Sequence, residues 1–346
     1  MKKSFKVLIC QLGVITLGLF VIAGCNDDED NPGPEPKYLL SLEVNPEGAG
    51  DVTGAGEYHE EEQVAIEATA GEGYMFVEWS GDVEHVNNAY SANTTITIPA
   101  RNISLTAVFA EGSLMDVDRN VYQTVIIGNQ KWMTENLRVT RYNNEDDILS
   151  GLIDEEWENT TEGAFAVYPH EGGGVSEDDV EGINSDEEMV AAYGKLYNWY
   201  AVDEPRGLCP EGWRVPSDDD WMHLVDYLAS QGFINHHAEP YGAGNALKSC
   251  HQVNSPLEGC KTPEHPRWNA DFTHHGFDEF GFSALPGGDR WADGRFTFIG
   301  GFGSWWSSSE QSSEDAWLRF ISRNNGRMTT SYGSKNGGHS VRCIRD

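Results

Sequence analysis

Apolar and polar residues alternate along four short segments of the first third of the chain. These segments are residues 40–44, 64–68, 95–98 and 105–109. An alternation with a period of two predicts strands with one buried face, and the glycines between the segments predict turns. Because no apolar pattern with a helical period occurs here, we predict a compact β-rich module over residues 38–111.

A second and larger region, residues 116–346, opens and closes with strand patterns. Residues 121–127 and 130–133 predict a hairpin that turns at Gly128-Asn129. The later strand patterns are residues 295–299, 303–307, 316–322, 326–331 and 339–344. One sheet carrying a helix or two is the simplest assembly of these pieces, so we predict an α+β domain.

The clearest helical pattern in the chain lies between these strands. Ser217 precedes it in capping position, Asp220 follows three residues later, and Gly232 comes after its end. The apolar residues at helical spacing are Trp221, Leu224, Val225 and Leu228. The acidic run Asp218-Asp219-Asp220 suits the positive end of a helix dipole. A calcium loop is the alternative interpretation of that run, but the spacing of an EF-hand is absent.

The first 24 residues have the charge order of a secretory signal peptide. Lys2, Lys3 and Lys6 precede an almost wholly apolar run over residues 7–23, which is slightly short for a spanning helix. The sequence Ile22-Ala23-Gly24-Cys25 resembles the bacterial lipobox. That resemblance implies cleavage before Cys25 and acylation of its thiol, so we expect a lipid on Cys25 to anchor the protein to the outer membrane.

Residues 25–37 are acidic and rich in proline, which predicts an extended tether between the anchor and the folded body. Acidic residues directly after a lipidated cysteine also resemble the surface-export signal of Bacteroidetes-type lipoproteins. This implies a protein exposed at the cell surface. A tether that faces the periplasm is the alternative.

The net charge of the chain restricts its partners. The formal charge is −33, and removal of the three lysines with residues 1–24 lowers it to −36. A surface this negative repels nucleic acid and anionic lipid. We therefore expect no nucleic-acid partner, and we expect the lipid rather than electrostatics to hold the protein at the membrane.

Four cysteines remain once Cys10 is removed with the signal peptide and Cys25 carries the lipid. They are Cys209, Cys250, Cys260 and Cys343. An even number in an exported chain predicts two disulfides, and of the three pairings we favour Cys209 with Cys343 and Cys250 with Cys260. A zinc site built from all four is the competing interpretation, but no CxxC pair is present.

Three motifs follow one another in the first module. They are Val44-Asn45-Pro46-Glu47-Gly48-Ala49-Gly50, Gly73-Tyr74-Met75-Phe76-Val77-Glu78-Trp79 and Leu105-Thr106-Ala107-Val108-Phe109. In this order they resemble the divergent InlB B-repeat family, which implies a small β-grasp-like domain acting as a stalk or spacer. We expect Tyr74, Phe76 and Trp79 to fill its core; a carbohydrate platform is the alternative.

Six motifs follow one another in the second region. They are Gly128-Asn129-Gln130-Lys131-Trp132-Met133-Thr134-Glu135-Asn136-Leu137, Tyr193-Gly194-Lys195-Leu196-Tyr197-Asn198-Trp199-Tyr200-Ala201-Val202, Cys209-Pro210-Glu211-Gly212-Trp213-Arg214-Val215-Pro216-Ser217, Gly281-Phe282-Ser283-Ala284-Leu285-Pro286-Gly287-Gly288, Trp305-Trp306-Ser307-Ser308-Ser309-Glu310 and Ser340-Val341-Arg342-Cys343. They closely resemble the Fibrobacter succinogenes major paralogous domain family. The resemblance implies an exported, surface-associated domain with the C-type lectin-like superfold, which the formylglycine-generating enzymes share.

The chain departs from the relatives of known activity in that superfold. The paired late cysteines of the formylglycine-generating enzymes and the calcium loop of C-type lectins are both missing. No HExxH, phosphate loop or Gly-x-Ser-x-Gly motif occurs either. We therefore assign no catalytic residue and no metal ligand, and we expect a non-catalytic protein.

Aromatic residues near basic ones in the late strands are the candidates for a ligand site. Tryptophan rings stack on sugar rings, and polar neighbours fix the orientation of the ligand. The candidate residues are Trp291, Trp305, Trp306, Arg290, Arg295 and Arg319. Because neighbours in a strand face opposite sides, we expect at least one of Trp305 and Trp306 to lie in the core.

An acidic insertion over residues 143–190 interrupts the second region. Between Arg141 and Lys195 there are sixteen Asp and Glu residues and no Lys or Arg. Such a block is typical of a solvated loop. Its functional interpretation is a segment that binds calcium or faces a partner, with Asp154-Glu155-Glu156-Trp157 and Glu177-Asp178-Asp179 as the candidate ligands.

Together these features predict a surface lipoprotein that binds or adheres to a partner. A glycan is the expected ligand, and a surface protein is the alternative partner. A structural or assembly component of the cell envelope is the second hypothesis. An enzyme that acts on envelope or other polysaccharides is the third.

Overall fold

The computed structural model describes residues 35–71, 73–112, 114–171 and 180–345 of the chain. The predicted signal peptide and the lipidation residue Cys25 lie outside these ranges. Over the described ranges, no helix combines the length and the apolar character needed to cross a bilayer.

The first module consists of strands and one short 3₁₀ helix, Val83–His85, within the described residues. Its strands are β1 (Lys37–Asn45), β2 (Gly50–Thr53), β3 (Gly56–His59), β4 (Gln63–Ala70), β5 (Tyr74–Gly81), β6 (Asn93–Thr97) and β7 (Ile103–Glu111). The four strands predicted from alternation are confirmed as β1, β4, β6 and β7.

Two small sheets enclose the core of this module. One has the strand order β3-β1-β7-β5, with β1 and β7 parallel, and the other has the order β2-β4-β6. Alternate side chains of β4 and β7 point inward, where Trp79 is buried. The rings of Phe76 and Trp79 lie 5.8 Å apart, and Phe76 lies at the same distance from Phe109. The prediction that Trp79 fills the core is confirmed.

The second region combines short strands with five α-helices in the described residues. The helices are α1 (Asp154–Asn159), α2 (Asp186–Tyr193), α3 (Trp199–Val202), α4 (Asp218–Ser230) and α5 (Ala243–Leu247). The strands are β8 (Leu114–Met115), β9 (Val121–Tyr122), β10 (Thr124–Ile127), β11 (Gln130–Met133), β12 (Phe165–Ala166), β13 (Leu196–Tyr197), β14 (Asp289–Arg290), β15 (Phe296–Thr297), β16 (Phe302–Glu310), β17 (Asp315–Ser322), β18 (Met328–Ser334) and β19 (Ile344–Arg345).

Several small sheets replace the single sheet expected from the sequence. Their strand orders are β10-β11-β19, β16-β17-β18, β8-β9, β12-β13 and β14-β15. The predicted strand over residues 121–127 divides at Gln123, whose N–H donates to the Glu135 carboxylate and not to a neighbouring strand. The observed class is therefore mostly β with a few helices, as expected for an α+β protein.

The predicted helix is confirmed as α4, with the predicted cap. The Ser217 hydroxyl accepts from the Asp220 N–H at 3.2 Å, and the Asp220 carboxylate accepts from the Ser217 N–H at 2.7 Å. Arg214 donates two hydrogen bonds to the same carboxylate. Burial would raise the pKa of Asp220, but the hydrogen bonds from Arg214 and Ser217 outweigh it and lower the pKa to about 2. These contacts confirm the predicted role of Asp220 at the start of the helix.

The acidic insertion is more ordered than a solvated loop. It contains α1, where Trp157 is buried, and α2, which the Ser185 hydroxyl caps by accepting from the Glu188 N–H. In α1, Glu156 accepts from the Ile153 N–H at 3.1 Å, and Asp154 pairs with Arg290. Two of the proposed calcium ligands, Asp154 and Glu156, thus have partners within the protein. The other candidates, Glu177-Asp178-Asp179, lie outside the described residues.

Both expected disulfides are present. Cys209 and Cys343 are bonded with Cα atoms 5.9 Å apart, and Cys250 and Cys260 with Cα atoms 5.3 Å apart. The first pair is buried in the core beside Met133 and joins the end of the chain to its middle. The zinc interpretation is therefore wrong for these four cysteines.

Candidate functional site

The six residues proposed from the sequence as ligand contacts do not form one surface site. Trp305 is fully buried between Trp221 and Phe282, and its indole N–H donates to Asn136 at 2.9 Å. Trp306 is also fully buried and donates to the Tyr197 carbonyl at 2.7 Å. The expectation that this pair presents a ring to a ligand is corrected, because both faces of β16 are covered.

Two of the three proposed arginines are likewise part of the packing. Arg319 is buried and pairs with Asp218 at the start of α4. Arg290 lies over the rings of Trp157 and Phe296, at 4.3 and 4.9 Å from their centroids, and donates to the Leu152 carbonyl. Both guanidinium groups hold elements of the domain together, and Arg290 also lines the cavity described below.

Trp291 and Arg295 remain at the surface. The Trp291 side chain is 47% exposed, and the Arg295 guanidinium lies 5.2 Å from its ring centroid while pairing with Asp293. Trp291 also lines a cavity of about 490 Å³. We call this cavity the aromatic groove; its aromatic walls are Trp291, Phe298, Phe302, Phe320 and Tyr332, and its polar end is Asp289, Ser304 and His339.

The aromatic walls follow from two local features of the chain. Alternation along β16 and β17 places Phe302 and Phe320 on one face of their sheet, with ring centroids 5.8 Å apart. Phe298 adopts a left-handed backbone conformation, φ 68°, which ends β15 after Thr297. Its ring then lies 4.9 Å from that of Phe302. A bulky residue in this conformation is uncommon and tends to occur at functional sites.

The turn at Gly288 brings the hairpin of β14 and β15 against β16. Gly288 has φ 69°, and a Cβ atom there would lie 2.6 Å from the Thr297 carbonyl oxygen. Its partner across the bridge, Gly303, would place a Cβ 2.4 Å from the Leu285 carbonyl oxygen. Both glycines are required by close backbone approach, and they set Trp291 beside the groove.

Three polar side chains meet at the other end of the groove. His339 Nδ1 lies 2.8 Å from Ser304 Oγ and 3.0 Å from Asp289 Oδ1, and Ser304 Oγ donates to that same oxygen. The His339 ring rests edge-on against Trp306 with centroids 4.5 Å apart. The buried Trp306 thus supports the polar end from below.

This arrangement differs from a serine hydrolase relay. In such a relay the two ring nitrogens of histidine face the acid and the nucleophile separately. Here Nδ1 faces both groups, and Nε2 has no hydrogen-bond partner among the residues described. His339 Nε2 is near Gly337, a residue that also lines the groove. It is suited to exchange a hydrogen bond with a ligand whose apolar face contacts the phenylalanines.

Of the six residues proposed from the sequence, Trp291 and Arg290 line the groove, and the other lining residues were not predicted. The signal in β16 was readable, since Phe302, Ser304 and Trp306 alternate on one face. His339 was not predicted, because its partners Ser304 and Asp289 are 35 and 50 residues away in the sequence. The position of Phe298 depends on its backbone conformation, which the local sequence does not indicate.

No group of three metal-ligating side chains lies close enough to hold an ion in the described ranges. A larger cavity of about 610 Å³ is lined by residues 181–183, by Glu188, Ala191 and Ala192 of α2, and by residues 263–266, which include His265. It lacks the aromatic walls and the convergent polar end of the aromatic groove. The groove is therefore our candidate site.

Comparison with protein families gives two matches along the chain. The family described as the Fibrobacter succinogenes major domain matches residues 125–345, and the divergent InlB B-repeat domain matches residues 40–113. No curated protein and no solved structure matches the chain. Both domains are typical of surface-associated proteins.

Proposed function

Because the chain belongs to the Fibrobacter succinogenes major domain family, we propose that it is a cell-surface lipoprotein whose aromatic groove binds a glycan. The observation that supports this most is the pairing of exposed Trp291 with an aromatic wall and a polar end. A pyranose ring has an apolar face and a rim of hydroxyl groups, so it needs both kinds of surface. The first module would hold this domain away from the membrane.

The groove suits the binding of a ligand without chemistry on it. Ser304 and His339 bond to the same carboxylate, which fixes their orientation before a ligand arrives. A preorganised polar end spares the ligand the cost of ordering these side chains. We propose further that the domain has the C-type lectin-like superfold, as its motifs suggest.

We expect Trp291→Ala to weaken glycan binding at least tenfold, about 1.4 kcal/mol, because it removes the exposed ring at the rim. The measurement is a glycan array on the purified full chain, followed by titration with the best sugar. Phe272→Ala is the control, since Phe272 is an exposed aromatic residue outside the groove. An array without any binding sugar would reject the glycan proposal, and equal affinity in Trp291→Ala would place the ligand elsewhere.

The anchor makes a separate prediction. We expect Cys25→Ser to move the protein from the membrane fraction to the soluble fraction and to abolish its labelling with fatty acid, because the serine hydroxyl does not replace the acylated thiol. Cys10→Ser is the matched control, because Cys10 would be removed with the signal peptide. Retention of the serine variant in membranes would contradict lipidation at Cys25.

Protease treatment of intact cells tests the outward orientation of the protein. We expect the folded body to be cleaved, and protection of the body would place it in the periplasm.

A further inference from the structure

A smaller cavity, of about 280 Å³, adjoins the aromatic groove. Phe298 and Phe302 line both cavities, so the two cavities share a wall of two aromatic rings. The rings lie 4.9 Å apart, and both residues are only partly buried. A chain bound in the groove can therefore cross the exposed edges of these rings and enter the smaller cavity, which we call the adjoining pocket.

The polar residues of the adjoining pocket differ in kind from those of the groove. Asn269, Ser322, Arg323 and Asn324 line the pocket, and none of the described residues that line it is acidic. The groove, in contrast, has the Asp289 carboxylate at its polar end. The adjoining pocket is therefore lined by amide, hydroxyl and cationic groups in a chain whose formal charge is −33. Its surroundings favour oxygen acceptors of a ligand.

The side-chain amide of Asn269 is a separate sign of a ligand. The residue is only 9% exposed, and its Oδ1 accepts a hydrogen bond from the buried Arg267 at 2.8 Å. That contact fixes which end of the amide carries the N–H groups. Asn269 Nδ2 has no hydrogen-bond partner among the described residues, and it is not one of the unpaired atoms that the protein covers completely. Its two donors are therefore open to the pocket that Asn269 lines.

Backbone contacts hold the turn between the two cavities in place. The Asn269 N–H donates to the Gly300 carbonyl at 2.8 Å, and the Arg323 N–H donates to the Gly301 carbonyl at 2.8 Å. A Cβ atom at Gly300 would lie 2.6 Å from Asn269 Oδ1, so the glycine lets this amide approach the turn that carries Phe298. The ring and the amide therefore keep their spacing before a ligand arrives, which lowers the cost of binding.

We propose that the ligand is an oligosaccharide rather than a single sugar, with one unit in the aromatic groove and a further unit in the adjoining pocket. This inference rests on the proposed binding of a glycan at the groove. Phe298 and Phe302 contact the apolar faces of the units on either side of them, and Asn269 donates to an oxygen of the unit in the pocket. Small-molecule ligands fill cavities of about 300–1,000 Å³, so a pocket of about 280 Å³ suits one small unit and not a second complete ligand.

The test is calorimetric titration of the purified full chain with glucose, mannose and N-acetylglucosamine, and with oligosaccharides of two to four units of each. We expect the affinity for the best series to rise at least tenfold between one and three units, because the longer chains reach the adjoining pocket. An affinity that does not depend on length, but is still weakened by Trp291→Ala, would overturn this inference and leave the glycan proposal standing. No saturable binding of any series would overturn this inference, and together with an empty glycan array it would reject the glycan proposal as well.

The variant Asn269→Asp separates the adjoining pocket from the groove. Aspartate keeps an oxygen acceptor for Arg267 but has no N–H donors, so the affinity for the trisaccharide should fall at least tenfold while the affinity for the monosaccharide stays within twofold. Asn88→Asp is the matched control, because it adds the same charge at an exposed position of the first module. Melting temperatures of both variants check that the chain is folded. Equal losses of affinity for one and three units, or no loss for either, would overturn the inference.

Discussion

Replacing Trp305 with alanine is expected to lower the free energy of unfolding by about 3–5 kcal/mol, the cost of deleting a large buried aromatic side chain. The Trp305 ring packs against Trp221 and Phe282, with centroids 6.5 and 6.3 Å away. The Arg342 guanidinium carbon lies 5.7 Å from its centroid. Alanine would therefore leave a cavity between Trp221, Phe282 and Arg342.

The loss would also affect buried polar groups. Trp305 donates to Asn136 Oδ1, and Arg342 donates to the same oxygen at 3.0 Å. Arg342 is fully buried, and this burial lowers the pKa of its guanidinium to about 9. Without the indole N–H, Asn136 keeps a single donor at that oxygen. The substitution thus removes both packing and a hydrogen bond.

The measurement is urea unfolding of the purified full chain, with Trp291→Ala as the matched control. Trp291 is half exposed, so its removal should change stability by less than about 1 kcal/mol. The two variants should therefore separate cleanly: Trp305→Ala loses stability, and Trp291→Ala loses ligand affinity. Similar small losses in both would show that Trp305 is not the core residue described above.

The core role of Trp305 also shows where sequence reasoning stops. Alternation predicted that at least one of Trp305 and Trp306 lies in the core, and the structure shows that both do. Both are buried because the two faces of β16 are covered by different parts of the chain. Helix α4 covers one face, and on the other face His339 covers the ring of Trp306. Which faces of a strand are covered depends on distant parts of the chain, and a local pattern does not contain that information.

Features that depend on neighbouring residues were predictable. The start of α4 followed from Ser217 and Asp220, because a capping box is formed within four residues. Counting cysteines predicted two disulfides, and the pairing favoured among the three possible ones is the pairing observed. Sheet order and the aromatic groove were not predictable, because Trp291, Phe320 and His339 meet only through long-range contacts. The left-handed backbone conformation of Phe298 was also not predictable from the local sequence.

Removing the long-range disulfide is the second change with a large expected effect. Cys209 and Cys343 are 134 residues apart, whereas Cys250 and Cys260 are 10 apart. Chain-entropy arguments give about 5 kcal/mol for the longer loop and about 3 kcal/mol for the shorter one. We therefore expect the double variant Cys209→Ala, Cys343→Ala to lose more stability than the double variant Cys250→Ala, Cys260→Ala. Urea unfolding of both variants makes the comparison.

The long loop also encloses every element of the aromatic groove. Trp291, Phe320 and His339 all lie between the two bonded cysteines, and the bond fixes the segment that follows His339. The Met133 N–H donates to the Cys343 carbonyl at 3.1 Å, and the Cys343 N–H donates to the Met133 sulfur at 3.3 Å. Loss of the long-range disulfide should therefore weaken ligand binding at the groove as well as stability. Loss of the short one should leave groove affinity within about twofold, since it closes a separate surface loop. Equal effects of the two variants on affinity would mean that the bond does not position the groove.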